Sequence, residues 1–190
     1  MLPIEAKVAA SLAAGDLHAA AEEAIRGFGP KILGLLRASL RDEDVAADAF
    51  SLFAENLWRG LPGYRGDASL RTWSYRVAWN AALTVRGEGW RRLGRRLDTT
   101  HAGRLAEDVR TRTAVRVERQ LLAVRQLREG LTAEEQVLLT LRLDQALAWE
   151  EIAEVLSTEG HPVQPAALRK RFERLKDKLG ALARARGLLE

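Results

Sequence analysis

Cysteine is absent from the 190-residue sequence, and histidine occurs only three times. Without cysteine the chain can form neither disulfides nor thiolate zinc sites, and a reducing cytoplasm is its natural setting. The histidines are scattered without the spacing of metal ligands, and no catalytic motif accompanies them. We therefore expect no metal, no cofactor and no enzymatic activity.

Long apolar runs are also missing. No segment approaches the roughly 18–20 uncharged apolar residues that span a bilayer. The apolar start at residues 1–14 is interrupted by Glu5 and Lys7 and lacks the basic beginning of a signal peptide. This segment is therefore either an extra helix or a frayed tail, and we expect no membrane insertion.

Strand-like alternation is absent as well, and helical periodicity dominates, which predicts an all-α fold. Asp16 is placed to cap the first helix of the main body. An arginine-rich middle poor in large apolar residues indicates a flexible basic linker between two small helical domains. The predicted segments are an N-terminal extension (1–16), a first domain (17–92), the linker (93–119) and a second domain (120–190).

Charge is unevenly distributed along the chain. Residues 91–128 carry 11 basic and 4 acidic side chains, net +7, although the whole protein has a net charge of only +4. A basic middle between nearly neutral ends favours a polyanionic partner.

The last third of the sequence has the pattern of a helix-turn-helix. Thr132 and Glu135 have capping-box spacing before a helix that runs to about Leu143. A second helix follows over 149–156, and a third begins near Pro165, a residue suited to a first helical turn. The third helix combines an apolar stripe with basic side chains on its other faces: the stripe is Leu168, Phe172, Leu175 and Leu179, and the bases are Arg169, Lys170, Arg171, Arg174, Lys176 and Lys178.

The charge of this region changes sign within it. Residues 129–164 hold 8 acidic and 1 basic side chain, net −7, whereas residues 165–186 hold 8 basic and 2 acidic ones, net +6. An acidic scaffold followed by a basic helix is the arrangement that insertion into the major groove requires. The alternative is an amphipathic helix that is merely solvated.

Aromatic residues are interleaved with arginines nearer the front of the chain. Between residues 59 and 96 lie nine arginines and only two acids, net +7. Flat rings and guanidinium groups together are typical of proteins that bind single-stranded nucleic acid. Core packing is the alternative for each ring, and it is favoured for Trp58 and Trp73. The aromatic residues are Trp58, Tyr64, Trp73, Tyr75, Trp79 and Trp90.

Two features adjoin this cluster. Asn80 follows Arg76 by one helical turn, where an exposed amide would either recognise a base edge or cap the chain. Residues 42–55 contain five acids and no base. The helix dipole explains some acids at a helix start. Five acidic residues are more than the helix dipole accounts for, which indicates a docking face for a basic protein partner.

These residues resemble a known family. Asp44–Asn80 is similar to region two of extracytoplasmic-function sigma factors, most specifically over Tyr64–Asn80 (YRGDASLRTWSYRVAWN). The segments AWEEIAEVL and ALRKRFERLKDKL resemble the two helices of the region-four helix-turn-helix. The resemblance covers about two thirds of the chain in the family's order. The resemblance implies a factor that brings core RNA polymerase to promoter DNA and opens the DNA duplex.

The resemblance also implies roles for individual residues. Polymerase binding would fall to Asp44, Asp48 and Phe50. Binding of the minus-ten element would fall to Tyr64, Arg65, Ser69, Arg76 and Asn80. Binding of the minus-thirty-five element would fall to Arg169, Lys170, Arg171 and Arg174. The linker would pass near the RNA exit path. Whether an anti-sigma factor restrains the protein, as in many members, stays open.

Two positions depart from the family pattern, and two other functions compete with it. Ala47 stands where the acidic helix commonly has glutamine, and the turn at 157–166 is longer than usual. One rival function is a helix-turn-helix regulator that binds duplex DNA without polymerase. The other is an interaction protein that sequesters transcription components. Duplex binding by the free protein distinguishes a regulator from a sigma factor.

Overall fold

The computed structural model describes residues 3–87, 101–117 and 127–185. All regular structure in these ranges is helical, apart from a single bridge pair between Thr158 and His161, so the predicted all-α fold is confirmed. The helices are α1 (Pro3–Ala13), α2 (Leu17–Leu40), α3 (Glu43–Gly60), α4 (Leu70–Arg86), α5 (His101–Val117), α6 (Ala133–Leu139), α7 (Trp149–Leu156) and α8 (Pro165–Ala185).

The chain divides into two compact units, residues 1–116 and 117–190. Helices α1 to α4 and nearly all of α5 belong to the first unit, and α6 to α8 belong to the second. Helix α5 falls within the segment 93–119, which the sequence suggested as a linker. The boundaries predicted for the N-terminal extension, the two domains and the linker stay predictions.

Local capping explains where the helices of the first unit begin. Asp16 accepts a hydrogen bond from the Ala19 amide at 2.9 Å, as predicted, and Asp42 accepts one from the Val45 amide at 3.0 Å. Such side chains satisfy amides that have no partner within the helix. The apolar faces of α2, α3 and α4 then meet in one core, whose largest fully buried side chains include Ile25, Ile32, Leu36, Phe50, Phe53, Leu57 and Tyr75.

The N-terminal segment is a packed helix rather than a frayed tail. The side chain of Ile4 lies directly over Gly27, where a Cβ atom would collide with it. Val8 is fully buried, and the Glu5 carboxylate accepts a hydrogen bond from the Arg71 amide at 3.3 Å. These contacts join α1 to α2 and to the start of α4.

Helix α5 covers another face of the first unit. Ala102, Leu105, Ala106 and Val109 are buried. A Cβ atom on Gly29 would lie 2.9 Å from Val109 Cγ1, so the small residue permits the close approach. Arg26 pairs with Asp108 at 2.8 Å, and Arg110 donates to the Ala47 carbonyl at 3.3 Å.

The second unit begins with the predicted capping box. Glu135 donates its amide to Thr132 Oγ1 at 3.2 Å, and its carboxylate accepts from the Thr132 amide at 2.6 Å. A π-helical turn, Thr140–Asp144, follows α6. Trp149 of α7 then meets Phe172 of α8 edge-on, with ring centroids 5.4 Å apart. This contact sets α8 against α7.

The long turn between α7 and α8 is closed by its own hydrogen bonds. Ser157 Oγ donates to the Ala153 carbonyl at 2.7 Å and accepts from the Val163 amide at 2.9 Å. Gly160 has a φ of +77°, a left-handed conformation that glycine adopts without strain. The extra residues therefore form a defined turn that leads into α8.

Glu135 makes the second unit sensitive to acid. Burial raises the pKa of this carboxyl, but hydrogen bonds from Lys178 and Thr132, with the Lys178 charge, lower it below the ordinary 4.5. A carboxylate whose pKa is depressed by folding stabilises the fold at neutral pH, and that contribution is lost as the pH falls below about 4.5. We expect the melting temperature of Glu135→Gln to fall less than that of the wild type as the pH is lowered through this range. Glu134→Gln, an exposed neighbour, is the control and should retain the wild-type pH profile.

Candidate nucleic-acid interface

A short loop between α3 and α4 carries three of the predicted DNA-binding residues. Tyr64 Oη donates to the Ala68 carbonyl at 2.6 Å, which closes the loop on itself. Gly66 has a φ of +79°, and Ser69 accepts from the Thr72 amide at 3.0 Å to start α4. Arg65 is exposed at the loop tip. We call residues 64–69 the pocket loop.

Tyr64 is half-buried, and its ring lies 5.4 Å from that of Trp73 at an angle of 47°. Burial, reinforced by the negative charges of Glu5 and Asp67, raises the pKa of the Tyr64 phenol above 10.0. The hydroxyl therefore stays protonated at neutral pH and remains able to donate its loop-closing hydrogen bond. Trp73 in turn rests on Gly60, where a Cβ atom would lie 3.2 Å from its ring.

The aromatic residues divide between core and surface. Tyr75 is fully buried, and Trp79 is 9% exposed, so both belong to the core. Trp58 is half-buried against His18, with ring centroids 4.7 Å apart. Among the described residues of the aromatic cluster, Tyr64 and Trp73 are therefore the rings beside the pocket loop. Trp90, Arg91, Arg92, Arg95 and Arg96 lie outside the described residues.

Helix α4 follows the pocket loop and carries the other two predicted minus-ten residues. Asn80 is exposed, and Arg76, one turn earlier, is half-buried. Arg86, which the sequence grouped with the nucleic-acid-binding arginines, reaches α2 instead and donates to Ser39 Oγ at 3.2 Å. It joins two helices of the core.

The acidic start of α3 contains acids with structural contacts and acids exposed at the surface. Asp42 caps the helix, Glu43 accepts from Arg37 Nε at 2.7 Å, and Glu55 is buried beside Arg59. Asp44 is exposed and Asp48 is half-buried.

Phe50 corrects one of the predicted polymerase contacts. Its side chain has no exposed surface and packs on Phe53 with ring centroids 5.5 Å apart. In this conformation it touches no outside partner. Phe50 is close to the acids in sequence, but it lies on the inward face of the same amphipathic helix.

The predicted basic face of α8 is exposed. Leu168, Phe172 and Leu175 are buried against the second unit, so the opposite side of the helix faces solvent. Arg169 Nη2 lies 2.9 Å from Glu150 Oε1 of α7, and both side chains are more than half exposed (53% and 66%). All four bases predicted to bind the minus-thirty-five element are exposed: Arg169, Lys170, Arg171 and Arg174.

One residue at the pocket loop was missed from the sequence. Glu5 of α1 lines a cavity of about 310 Å³ together with Tyr64 and Ser69. In the sequence Glu5 is visible only as an acid within an apolar segment. Nothing local connects it to a loop that lies some sixty residues away.

Neither a metal site nor a membrane span emerges from the described parts of the chain. Those residues contain no group of three or more His, Asp or Glu side chains that could hold a metal ion. None of their helices has the length and apolar character required to cross a bilayer.

Comparison with known proteins gives one match. Residues 24–96 match the family model of sigma-70 region 2, a range that includes the acidic start of α3, the pocket loop and all of α4. Comparisons with curated proteins and with solved structures found no match.

Proposed function

We propose that this chain, which contains a sigma-70 region 2 domain, is a sigma factor of the extracytoplasmic-function type. The region 2 match supports a sigma-70 family factor with a role in RNA polymerase binding and promoter melting. The observation that carries the finer proposal is the set of side chains that the pocket loop and α4 expose. Tyr64 of the loop and Arg76 and Asn80 of α4 supply a ring, a guanidinium and an exposed amide within the matched residues.

These groups suit the capture of an opened strand. A base that leaves the stack loses a few kcal/mol, which a protein pocket offsets by stacking and hydrogen bonding. The exposed Asp44 and the half-buried Asp48 supply acids for docking on a basic polymerase surface. Such a protein acts in the cytoplasm with core RNA polymerase and promoter DNA as its partners.

The second unit is proposed to bind duplex DNA as region four does. Helices α7 and α8, joined by a closed turn, have the order of a helix-turn-helix, and the first half of α8 carries four exposed bases. Recognition helices contact base edges through residues near their N-terminus. Arg169, Lys170 and Arg171 lie in that part of α8.

Run-off transcription with purified core polymerase on a promoter library tests the proposal. We expect specific transcripts that require both the protein and core polymerase. If the protein gives no transcript and instead shifts palindromic duplexes alone, the rival helix-turn-helix regulator replaces the sigma factor.

Asn80→Ala is expected to impair promoter opening more than polymerase binding. Loss of a good base-edge contact costs about 1–3 kcal/mol, so open complexes should fall roughly five- to hundredfold. The measurement is open-complex formation, with affinity for core polymerase determined in parallel. Thr84→Ser is the matched control, since Thr84 is exposed one turn further along α4 and serine keeps the 2.9 Å hydrogen bond that its Oγ donates to the Asn80 carbonyl. Equal loss of both activities would identify Asn80 as structural.

A further inference from the structure

A cavity of about 310 Å³ lies between α1 and the pocket loop. Its volume is at the lower end of the roughly 300–1,000 Å³ typical of small-molecule pockets. Val8, Leu12 and Leu70 give it apolar walls, Tyr64 contributes an aromatic ring, and Glu5 contributes a carboxylate. An apolar pocket with one ring and few polar groups suits a flat heterocycle.

The carboxylate is held in place by the packing of α1. Ile4 against Gly27 and the buried Val8 fix the helix on either side of Glu5. Glu5 Oε1 accepts from the amide of Arg71, in the first turn of α4. A helix N-terminus interacts favourably with a negative charge placed beside it. A carboxylate accepts several hydrogen bonds at once, so the Arg71 contact does not prevent a ligand from donating to it.

The charge of Glu5 determines which ligands suit the cavity. An ionised carboxylate only accepts hydrogen bonds, and it repels phosphate. Cytosine, adenine and guanine each present an exocyclic amine as a donor, and a carboxylate side chain is a known acceptor for the cytosine amine. Thymine has no exocyclic amine, and the two carbonyl oxygens that flank its ring N–H would face the carboxylate unfavourably.

We propose that α1 forms one wall of the pocket that takes an unstacked base of the opened promoter strand, and that Glu5 accepts a hydrogen bond from the amine of that base. The inference rests on the proposed function and deepens it: the N-terminal helix, which lies outside the matched residues 24–96, helps to set base preference. The pocket favours a base with an exocyclic amine (cytosine, adenine or guanine) over thymine.

The test uses the full-length protein assembled with core polymerase on promoters whose minus-ten element is already unpaired. Each unpaired position carries each of the four bases in turn, and open complexes are measured. At one position the wild type should favour the bases with an exocyclic amine over thymine by roughly tenfold, the lower part of the range for a specific base contact. Glu5→Gln should reduce this ratio to about twofold, because an amide both donates and accepts.

Two further variants complete the design. Glu5→Asp keeps the charge beside α4 but shortens the side chain, and should lose most of the preference. Lys7→Gln also changes one charge on α1, but Lys7 is exposed and does not line the cavity, so it should retain the wild-type ratio.

The outcomes separate the two proposals. If the wild type initiates transcription but Glu5→Gln and Glu5→Asp keep its base preference, the assignment of Glu5 is wrong and the sigma-factor function stands. If Glu5→Gln raises open complexes equally with all four bases, α1 is a cover over the loop rather than a wall of the pocket, and the inference is overturned. If the wild type yields no transcript with core polymerase, the proposed function fails, and the inference fails with it.

Discussion

Reversing the charges of Asp44 and Asp48 to arginine is expected to abolish binding of core RNA polymerase. Both acids lie at the start of α3, where Asp44 is exposed and Asp48 half-buried. If they face a basic partner surface, the double variant replaces two attractions with two repulsions. Like-charge juxtaposition at an interface costs several kcal/mol, so affinity should fall more than a hundredfold. Equilibrium titration of labelled protein with core polymerase measures it.

The control for this variant is Glu134→Arg with Glu159→Arg. It makes the same change in net charge at two exposed acids of the second unit. Because Asp44 is in the first turn of its helix, its reversal also costs about 0.3–1 kcal/mol through the helix dipole, and thermal unfolding should show that the fold survives. A double variant that binds polymerase as the wild type does would remove the acidic helix from the proposed interface.

The beginnings of the helices were predictable because their causes are local. Asp16 and the Thr132–Glu135 capping box each bond to amides three residues away, so the signal is contained in a few neighbouring residues. The apolar stripe of α8 is likewise a matter of spacing along one helix: Leu168, Phe172 and Leu175 are buried as predicted, and Leu179 is half-buried.

The packing of α1 and α5 was not predictable in this way. Each depends on a distant glycine: Ile4 rests on Gly27, and Val109 rests on Gly29. A glycine in the middle of a helix is usually a cost, and only the tertiary fold shows that it admits a neighbouring helix. The wall that α1 gives to the pocket loop therefore had no signal in the sequence.

For the candidate site residues, too, exposure on one helix was predictable from the sequence, whereas contacts between helices were not. Residue type and position correctly indicated exposed side chains at Asn80 and along the start of α8, since these lie opposite apolar stripes. They could not distinguish Arg86, which joins α4 to α2, from an arginine directed at nucleic acid. Phe50 was misplaced because an aromatic residue within an acidic segment can face either side of its helix.

Replacing Arg169, Lys170 and Arg171 with alanine is expected to remove most of the binding energy for the upstream promoter duplex. All three side chains are exposed in the first two turns of α8. Each phosphate contact releases counterions and contributes about 0.9 to the slope of log affinity against log salt. The triple variant should therefore lower that slope by up to roughly 3, measured as holoenzyme binding to promoter DNA over a series of salt concentrations.

The ion pair between Arg169 and Glu150 does not weaken this expectation. The two groups are 53% and 66% exposed, and pairs at such exposure contribute only about 0–1 kcal/mol. Arg169 can therefore leave Glu150 for a phosphate at little cost. The control is the double variant Lys176→Ala with Arg184→Ala, which removes two exposed bases from the later part of α8. For each charge removed, it should lower the slope of log affinity against log salt much less than the triple variant does. Every phosphate that the protein contacts contributes to the salt dependence, whichever surface makes the contact. An unchanged slope in the triple variant would therefore mean that another surface binds the duplex.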